Sequence, residues 1–267
     1  MAATGPYRFH YARQGINRGP HLLFLHGFMG SCEDWSETIN RLSDRYDCLA
    51  IDLPGHGRTK VTGSDDLYSM ENTAEGVRKL LDTLGITHTV LVGYSMGGRL
   101  ALYITMRCPE YITAAVIESS SPGLKTLHER NERICEDEAR AHSLTSGDFA
   151  RFLNEWYEQP IFETTRQRPE FTEFFKCRLH NNPDQLAVSL RKIGAGAQPS
   201  LWNSLKSITK PVCFIAGSRD TKFTAIAREM KDRCPAARLR IAEDCGHNIH
   251  FENNELFIKI LLDFLNN

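Results

Sequence analysis

A serine flanked at two residues on either side by glycine, Gly93-Tyr94-Ser95-Met96-Gly97, is the stretch of this chain best suited to nucleophilic or proton-transfer chemistry. A hydroxyl is a weak base until an imidazole takes its proton and a carboxylate fixes the imidazole's tautomer. Both groups occur further on. Asp220 closes Ile215-Ala216-Gly217-Ser218-Arg219-Asp220, and His247 lies in Asp244-Cys245-Gly246-His247-Asn248. Serine, acid, then histidine is the chain order that accompanies a G-x-S-x-G turn between a strand and a helix. A capping aspartate or a surface-loop histidine is common singly; all three in order, each after an apolar run, are improbable by accident. Upstream, His26-Gly27-Phe28 also follows an apolar run. The backbone N–H of Phe28 can therefore pair with that of Met96 to hold a developing oxyanion.

The elements that must position these groups follow from periodicity. His88-Thr89-Val90-Leu91-Val92 reads as a buried strand and Leu100-Ala101-Leu102-Tyr103-Ile104 as a helix, so the serine sits at a sharp turn between them. Further apolar runs at 22–25, 48–51, 114–117, 212–216 and 238–241 predict strands, and Tyr7-Arg8-Phe9-His10-Tyr11 alternates like a first one. Residues 15–20 read as a turn, and 35–42, 69–84, 224–234 and 253–265 as helices. Strands alternating with helices imply an α/β fold with a mostly parallel central sheet covered on both faces. Between 124 and 205 no strand-like run occurs. The segments 129–142, 148–157, 169–179 and 184–193 are helical in pattern, which predicts an inserted helical cap. The expected organisation is a core of 1–123, a cap of 124–205 and a second core part of 206–267.

Composition narrows the function classes. The chain has 267 residues and a formal charge of −1, so it offers no field for nucleic acid or an anionic membrane. No apolar segment reaches bilayer length, and Met1-Ala2-Ala3-Thr4-Gly5-Pro6 lacks the basic-then-apolar order of a secretory signal. The eight cysteines are scattered without a C-x-x-C pair, as reduced thiols would be. These features predict a cytoplasmic protein acting on a small molecule. The remaining histidines show no ligand spacing, so neither metal nor cofactor is expected. Asp52-Leu53-Pro54-Gly55-His56-Gly57 reads as a tight structural turn, and His250 as a neighbour of the site or a capping group.

Arginines bear on the substrate. Arg99 follows the serine by four residues, and spacing leaves open whether it faces solvent or a cavity. An arginine in the first turn of a helix opposes the helix dipole but can grip a carboxylate with two parallel bonds. Arg130, Arg133 and Arg178 lie on cap segments expected to cover Ser95, and Gly194-Ala195-Gly196-Ala197-Gln198-Pro199-Ser200-Leu201-Trp202 looks like a shaped loop returning to the core.

From Phe24 onward the chain resembles the α/β-hydrolase superfamily. Through His26-Gly27-Phe28-Met29-Gly30, the serine turn with Arg99, Glu118-Ser119-Ser120-Ser121-Pro122-Gly123-Leu124, Trp156-Tyr157-Glu158-Gln159-Pro160-Ile161-Phe162, the arginine before Asn181-Asn182-Pro183 and the 194–202 loop, it is similar to the 2-succinyl-6-hydroxy-2,4-cyclohexadiene-1-carboxylate synthases of menaquinone and phylloquinone biosynthesis. Ala195 stands where threonine is expected in that family. The resemblance implies a cofactor-free lyase that eliminates pyruvate from a polycarboxylate, with Ser95, His247 and Asp220 moving the proton. It further implies Tyr94, Arg99, Arg133, Trp156 and Arg178 as substrate contacts. A serine hydrolase of esters or of carbon–carbon bonds, and a ligand receptor on the same fold, share these features and stay open.

Overall fold

The apolar runs form a sheet whose side chains alternate between two buried layers; the computed structural model describes residues 1–16 and 19–266. The strands are β1 (Ala2–Thr4), β2 (Tyr7–Phe9), β3 (Tyr11–Gly15), β4 (His21–Leu25), β5 (Asp47–Ile51), β6 (Lys60–Val61), β7 (Thr89–Tyr94), β8 (Ile112–Glu118), β9 (Val212–Gly217) and β10 (Ala237–Ala242). The helices of the core are α1 (Ser36–Leu42), α2 (Met70–Thr83) and α3 (Met96–Arg107). Then come α4 (Leu127–Ser146), α5 (Phe149–Tyr157), α6 (Glu163–Arg166), α7 (Phe171–Arg178) and α8 (Pro183–Ile193), followed by α9 (Thr221–Arg233), α10 (Ile249–Glu252) and α11 (Asn254–Leu265). The main sheet has seven strands in the order β10-β9-β8-β7-β4-β5-β3, all neighbours parallel except β3 against β5.

Alternation assigns each strand residue to a face. In β4, Leu23 and Leu25 enter one apolar layer with Val77 and Leu80 of α2 and Leu100 and Ile104 of α3, while Leu22 and Phe24 enter the other with Trp35, Ile39, Phe257 and Leu261. Parallel strands buried on both faces must be apolar throughout, which is why these runs are continuous. A third apolar cluster, including Met29, Leu144, Phe152, Tyr157 and Leu190, joins the cap helices to the loop after β4.

The N-terminal segment departs from the single strand expected over 7–11. It breaks at His10, whose N–H donates to Thr59 Oγ1 and whose Nδ1 lies 3.0 Å from Asp52 Oδ2. β2 therefore joins a small sheet with β1 and β6, and β3 alone edges the main sheet. The expected turn over 15–20 includes Asn17 and Arg18, which lie outside the described residues. Other differences are at helix ends. α9 starts three residues early because the Asp220 side chain caps it, accepting from the Phe223 N–H at 3.1 Å. α4 is longer at both ends, opened by a reciprocal capping box between Thr126 and Glu129. The apolar pattern does not predict the short helices α6 and α10.

The Asp52 turn is a buried polar knot. Burial alone would raise the Asp52 acid, but the N–H groups of Arg58 and Cys32, each at 2.7 Å, hold it below the usual range. Nearby, burial pushes the His56 imidazole down to about 3, with His26 adding to the effect. The unfolded chain takes up this proton near pH 6.5, so between about 6.5 and 3 it binds a proton that the folded state refuses. Stability is thus expected to fall as pH drops through that window, by up to ~1.4 kcal/mol per unit from this group. Urea midpoints measured from pH 7 to 4 check this: His56→Gln should flatten the decline, and an unchanged slope would assign the acid sensitivity elsewhere.

Candidate active site

Three strand ends converge. Leu25 of β4 pairs with Gly93 of β7, and Tyr94 with Glu118 of β8, so the loops after these strands open on one sheet edge, where ligands bind in such folds. Ser95 follows β7 at φ 50°, ψ −109°, a backbone conformation costing about 1–3 kcal/mol. Its N–H donates to Glu118 O at 2.9 Å and its carbonyl accepts from Ser120 Oγ at 2.8 Å, which holds the turn. A Cβ on Gly97 would run into the Leu25 carbonyl, and one on Gly93 would meet Gly97 O at 2.5 Å. Close packing of helix on strand is therefore what demands both glycines.

The three groups singled out from the sequence form one hydrogen-bonded chain. His247 Nε2 lies 3.2 Å from Ser95 Oγ, and Nδ1 lies 2.7 Å from Asp220 Oδ2. Asp220 has two tasks, since its other oxygen caps α9. The imidazole is nearly enclosed, with the Phe223 ring 4.6 Å away and the Tyr94 ring edge-on at 5.4 Å. Such an array can move a proton between the serine oxygen and a bound molecule. Phe28 and Met96 both line the cavity beside Ser95, and Met96 opens α3, where the first N–H groups lack helical acceptors.

Two carboxylates that spacing did not reveal support the array. Glu252 is buried and accepts from the N–H groups of Gly246 (2.6 Å) and Asn248 (3.2 Å), on either side of His247. It also accepts from Thr165 Oγ1 of α6 at 2.8 Å. Glu118 takes both the N–H and Nδ1 of His250, at 3.1 and 2.8 Å, and His250 stacks on Trp35 at 4.0 Å. His250 is thus a buried neighbour of the site. No sequence periodicity links Glu252 to two N–H groups of a loop; only folding converges them. Glu252→Gln replaces one acceptor oxygen by a donor facing donors. Displacing the imidazole in this way should lower kcat by about 100-fold with little change in KM. Equal losses in both constants would show a different role.

The cavity beside Ser95 has a volume of about 310 Å3 and is lined by Arg99, Arg133 and Trp156 among others. Arg99 resolves toward the interior. Its Nη1 donates to Ile193 O at 2.8 Å and to Gln198 Oε1 at 3.0 Å, both neutral acceptors. Burial first, then the neighbouring Arg133, push its pKa down to about 10. It keeps its proton at neutral pH and has no carboxylate partner among the described residues. Arg133 is held by Asp137 at 2.7 Å. The 194–202 loop is shaped as expected: Gly194 and Ala195 line the cavity, and Trp202 Nε1 donates to Gly123 O at 2.8 Å.

Two expected contacts, Arg178 and Tyr94, lie elsewhere, as does the cap arginine Arg130. Arg178 does not line this cavity; its guanidinium makes paired bonds of 2.7 and 2.8 Å to Asp34, packs on the Phe174 ring and approaches Tyr157 Oη. Burial works against that charge, but Asp34 outweighs it and raises the Arg178 pKa. Arg130 points at the carbonyls of Gly196 and Ala197, stapling the loop. Tyr94 is buried beneath the two histidines His247 and His250, outside the cavity wall.

Sheet, serine turn and helical cap define a protein of the alpha/beta hydrolase fold, and the family model of that description matches residues 20–254. A Bacillus subtilis (strain 168) protein provisionally named 2-succinyl-6-hydroxy-2,4-cyclohexadiene-1-carboxylate synthase is 37% identical over 97% of this chain and 94% of its own. The Escherichia fergusonii synthase of that name is 34% identical, over 91% and 92% of the two chains. The solved structure of MenH from S. aureus superposes with a TM-score of 0.91 at 32% identity, covering 98% of each chain. The chain belongs to the 2-succinyl-6-hydroxy-2,4-cyclohexadiene-1-carboxylate synthase family of alpha/beta hydrolase fold proteins. Among the described residues, no helix is long and apolar enough to cross a membrane.

Proposed function

We propose that this chain is a lyase that eliminates pyruvate from 2-succinyl-5-enolpyruvyl-6-hydroxy-3-cyclohexene-1-carboxylate, giving 2-succinyl-6-hydroxy-2,4-cyclohexadiene-1-carboxylate. The observation that carries the choice of substrate is Arg99, a half-buried cation beside Ser95 whose hydrogen bonds, among the described residues, go to neutral acceptors. A partly desolvated charge with no carboxylate hydrogen-bonded to it is costly, and an anionic ligand relieves that cost.

His247 takes the Ser95 proton, assisted by Asp220, and the serine oxygen removes the ring proton at C2, α to the succinyl carbonyl. The C2–H electrons form C2=C3, the C3=C4 pair shifts to C4=C5, and the C5–O bond breaks toward oxygen. The N–H groups of Phe28 and Met96 receive the enolate oxygen that develops on the succinyl group. The imidazolium returns its proton to the departing oxygen, and the enol becomes pyruvate. Arg99, Arg133 and Trp156 orient the anionic substrate under a cap of residues 124–205, while Tyr94 and Arg178 support the site from behind its wall. No cofactor or metal is needed for these steps, and the family's small-molecule chemistry suits a cytoplasmic enzyme.

Pyruvate release from the purified protein and this substrate tests the reading directly. The same relay would serve ester hydrolysis, in which oxygen from labelled water enters a product carboxylate; elimination leaves the carboxylates of both products unlabelled. Arg99→Ala should lower kcat/KM by about 10- to 100-fold, the worth of one hydrogen-bonded contact to a charged group. Kinetics equal to wild type would remove Arg99 from the site.

A further inference from the structure

Four cations border the cavity beside Ser95, and they differ in what already holds them. Arg133 has Asp137 at 2.7 Å and Lys125 has Glu229 at 2.7 Å. Arg99 has neutral acceptors. Lys222, exposed at the edge of the same cavity, has its ammonium 5.7 Å from the Phe223 ring centroid and neither a hydrogen bond nor a carboxylate partner among the described residues. It stands in the first turn of α9, between Asp220, which holds the imidazole, and Phe223, whose ring packs on it at 4.6 Å. Lys222 also borders an adjoining cleft with Asp220, Gly246 and Thr164, so it marks where the reaction cavity meets a second opening on the imidazole side.

We propose that Lys222 binds the carboxylate of the enolpyruvyl arm, the part of the substrate that departs. The inference rests on the lyase reading above. When the C5–O bond breaks, its electron pair goes to the oxygen and the proton on His247 follows. That oxygen must therefore lie within reach of His247, and the arm it belongs to lies on the imidazole side. Its carboxylate is two bonds from the departing oxygen, within the span of a side chain that neighbours both Asp220 and Phe223. Asp220 is engaged by the imidazole and by the Phe223 N–H, so an anion placed there meets one uncommitted charge, that of Lys222. Arg99 and Arg133 line the cavity with Gly194 and Ala195 of the cap loop and are left to the other carboxylates. Arg178, which Asp34 already satisfies with two bonds, is not required to supply the remaining cation.

The test compares wild type with Lys222→Ala and Lys222→Arg in pyruvate release and in inhibition by added pyruvate. Lys222→Ala should lose about tenfold or more in kcat/KM, mainly through KM, and should be inhibited by pyruvate correspondingly more weakly. Lys222→Arg should recover most of both. A merely structural role would leave pyruvate inhibition unmoved. If wild type releases pyruvate and Lys222→Ala stays within about twofold on both measures, the assignment is overturned while the lyase reading stands. A fall in kcat/KM with pyruvate inhibition unchanged also overturns it, because the cation then holds a different carboxylate. No pyruvate from wild type overturns both readings, and that assay is read first.

Discussion

Replacing Ser95 by alanine is expected to cut pyruvate release by about 10^3-fold, the scale of a positioned proton-transfer group, while the substrate still binds. The hydroxyl belongs to a residue that lines the cavity and lies 3.2 Å from His247 Nε2. Alanine leaves a small void in a turn whose backbone is fixed by Glu118 O and Ser120 Oγ, so the fold should survive. Single-turnover rates together with equilibrium titration of substrate separate the two effects. Near-normal turnover in Ser95→Ala would mean that another base takes the C2 proton, and the assignment of His247 would have to be redrawn with it.

The second large effect is on stability. Asp34→Ala is expected to cost about 3–5 kcal/mol, because it strands the Arg178 guanidinium among Phe174, Tyr157 and the core with no counter-charge. Removing a buried partner is far worse than never having the pair, since the remaining charge cannot return to water. Chemical denaturation should show the midpoint falling with the slope preserved. A loss below about 1 kcal/mol would mean that Arg178 swings out to solvent, and that the pair is no more than a surface contact.

These two sites also show what can be read from a chain of letters. The serine turn was legible because each geometric demand leaves a residue behind: glycine where a Cβ would strike Leu25 O, a strand-forming run before it and a helix-forming run after it. Asp220 and His247 were legible because both end loops after apolar strands, in an order that few arrangements share. The Asp34–Arg178 pair was not, since its members are 144 residues apart and meet only when the cap docks. The resemblance places Arg178 in the cavity, and nothing in its local sequence contradicts that. Its actual partner depends on how α7 lies against the loop after β4. Arg99 carried the opposite difficulty. Its position was evident but its direction was not, because a four-residue offset in the first turn of a helix does not say which side the neighbouring loop will close. His10 split a strand that alternation joined, and the cause was an aspartate 42 residues away.

Glu252 has a consequence for modularity. A single carboxylate fastens the segment around His247 and the short cap helix carrying Thr165, so the lid is not an interchangeable part. A chimera that imports another relative's lid onto this core would cut one of three attachments and loosen the machinery beneath it. Grafts that carry the matching C-terminal segment with the lid should keep their turnover; grafts of the lid alone should bind and react poorly.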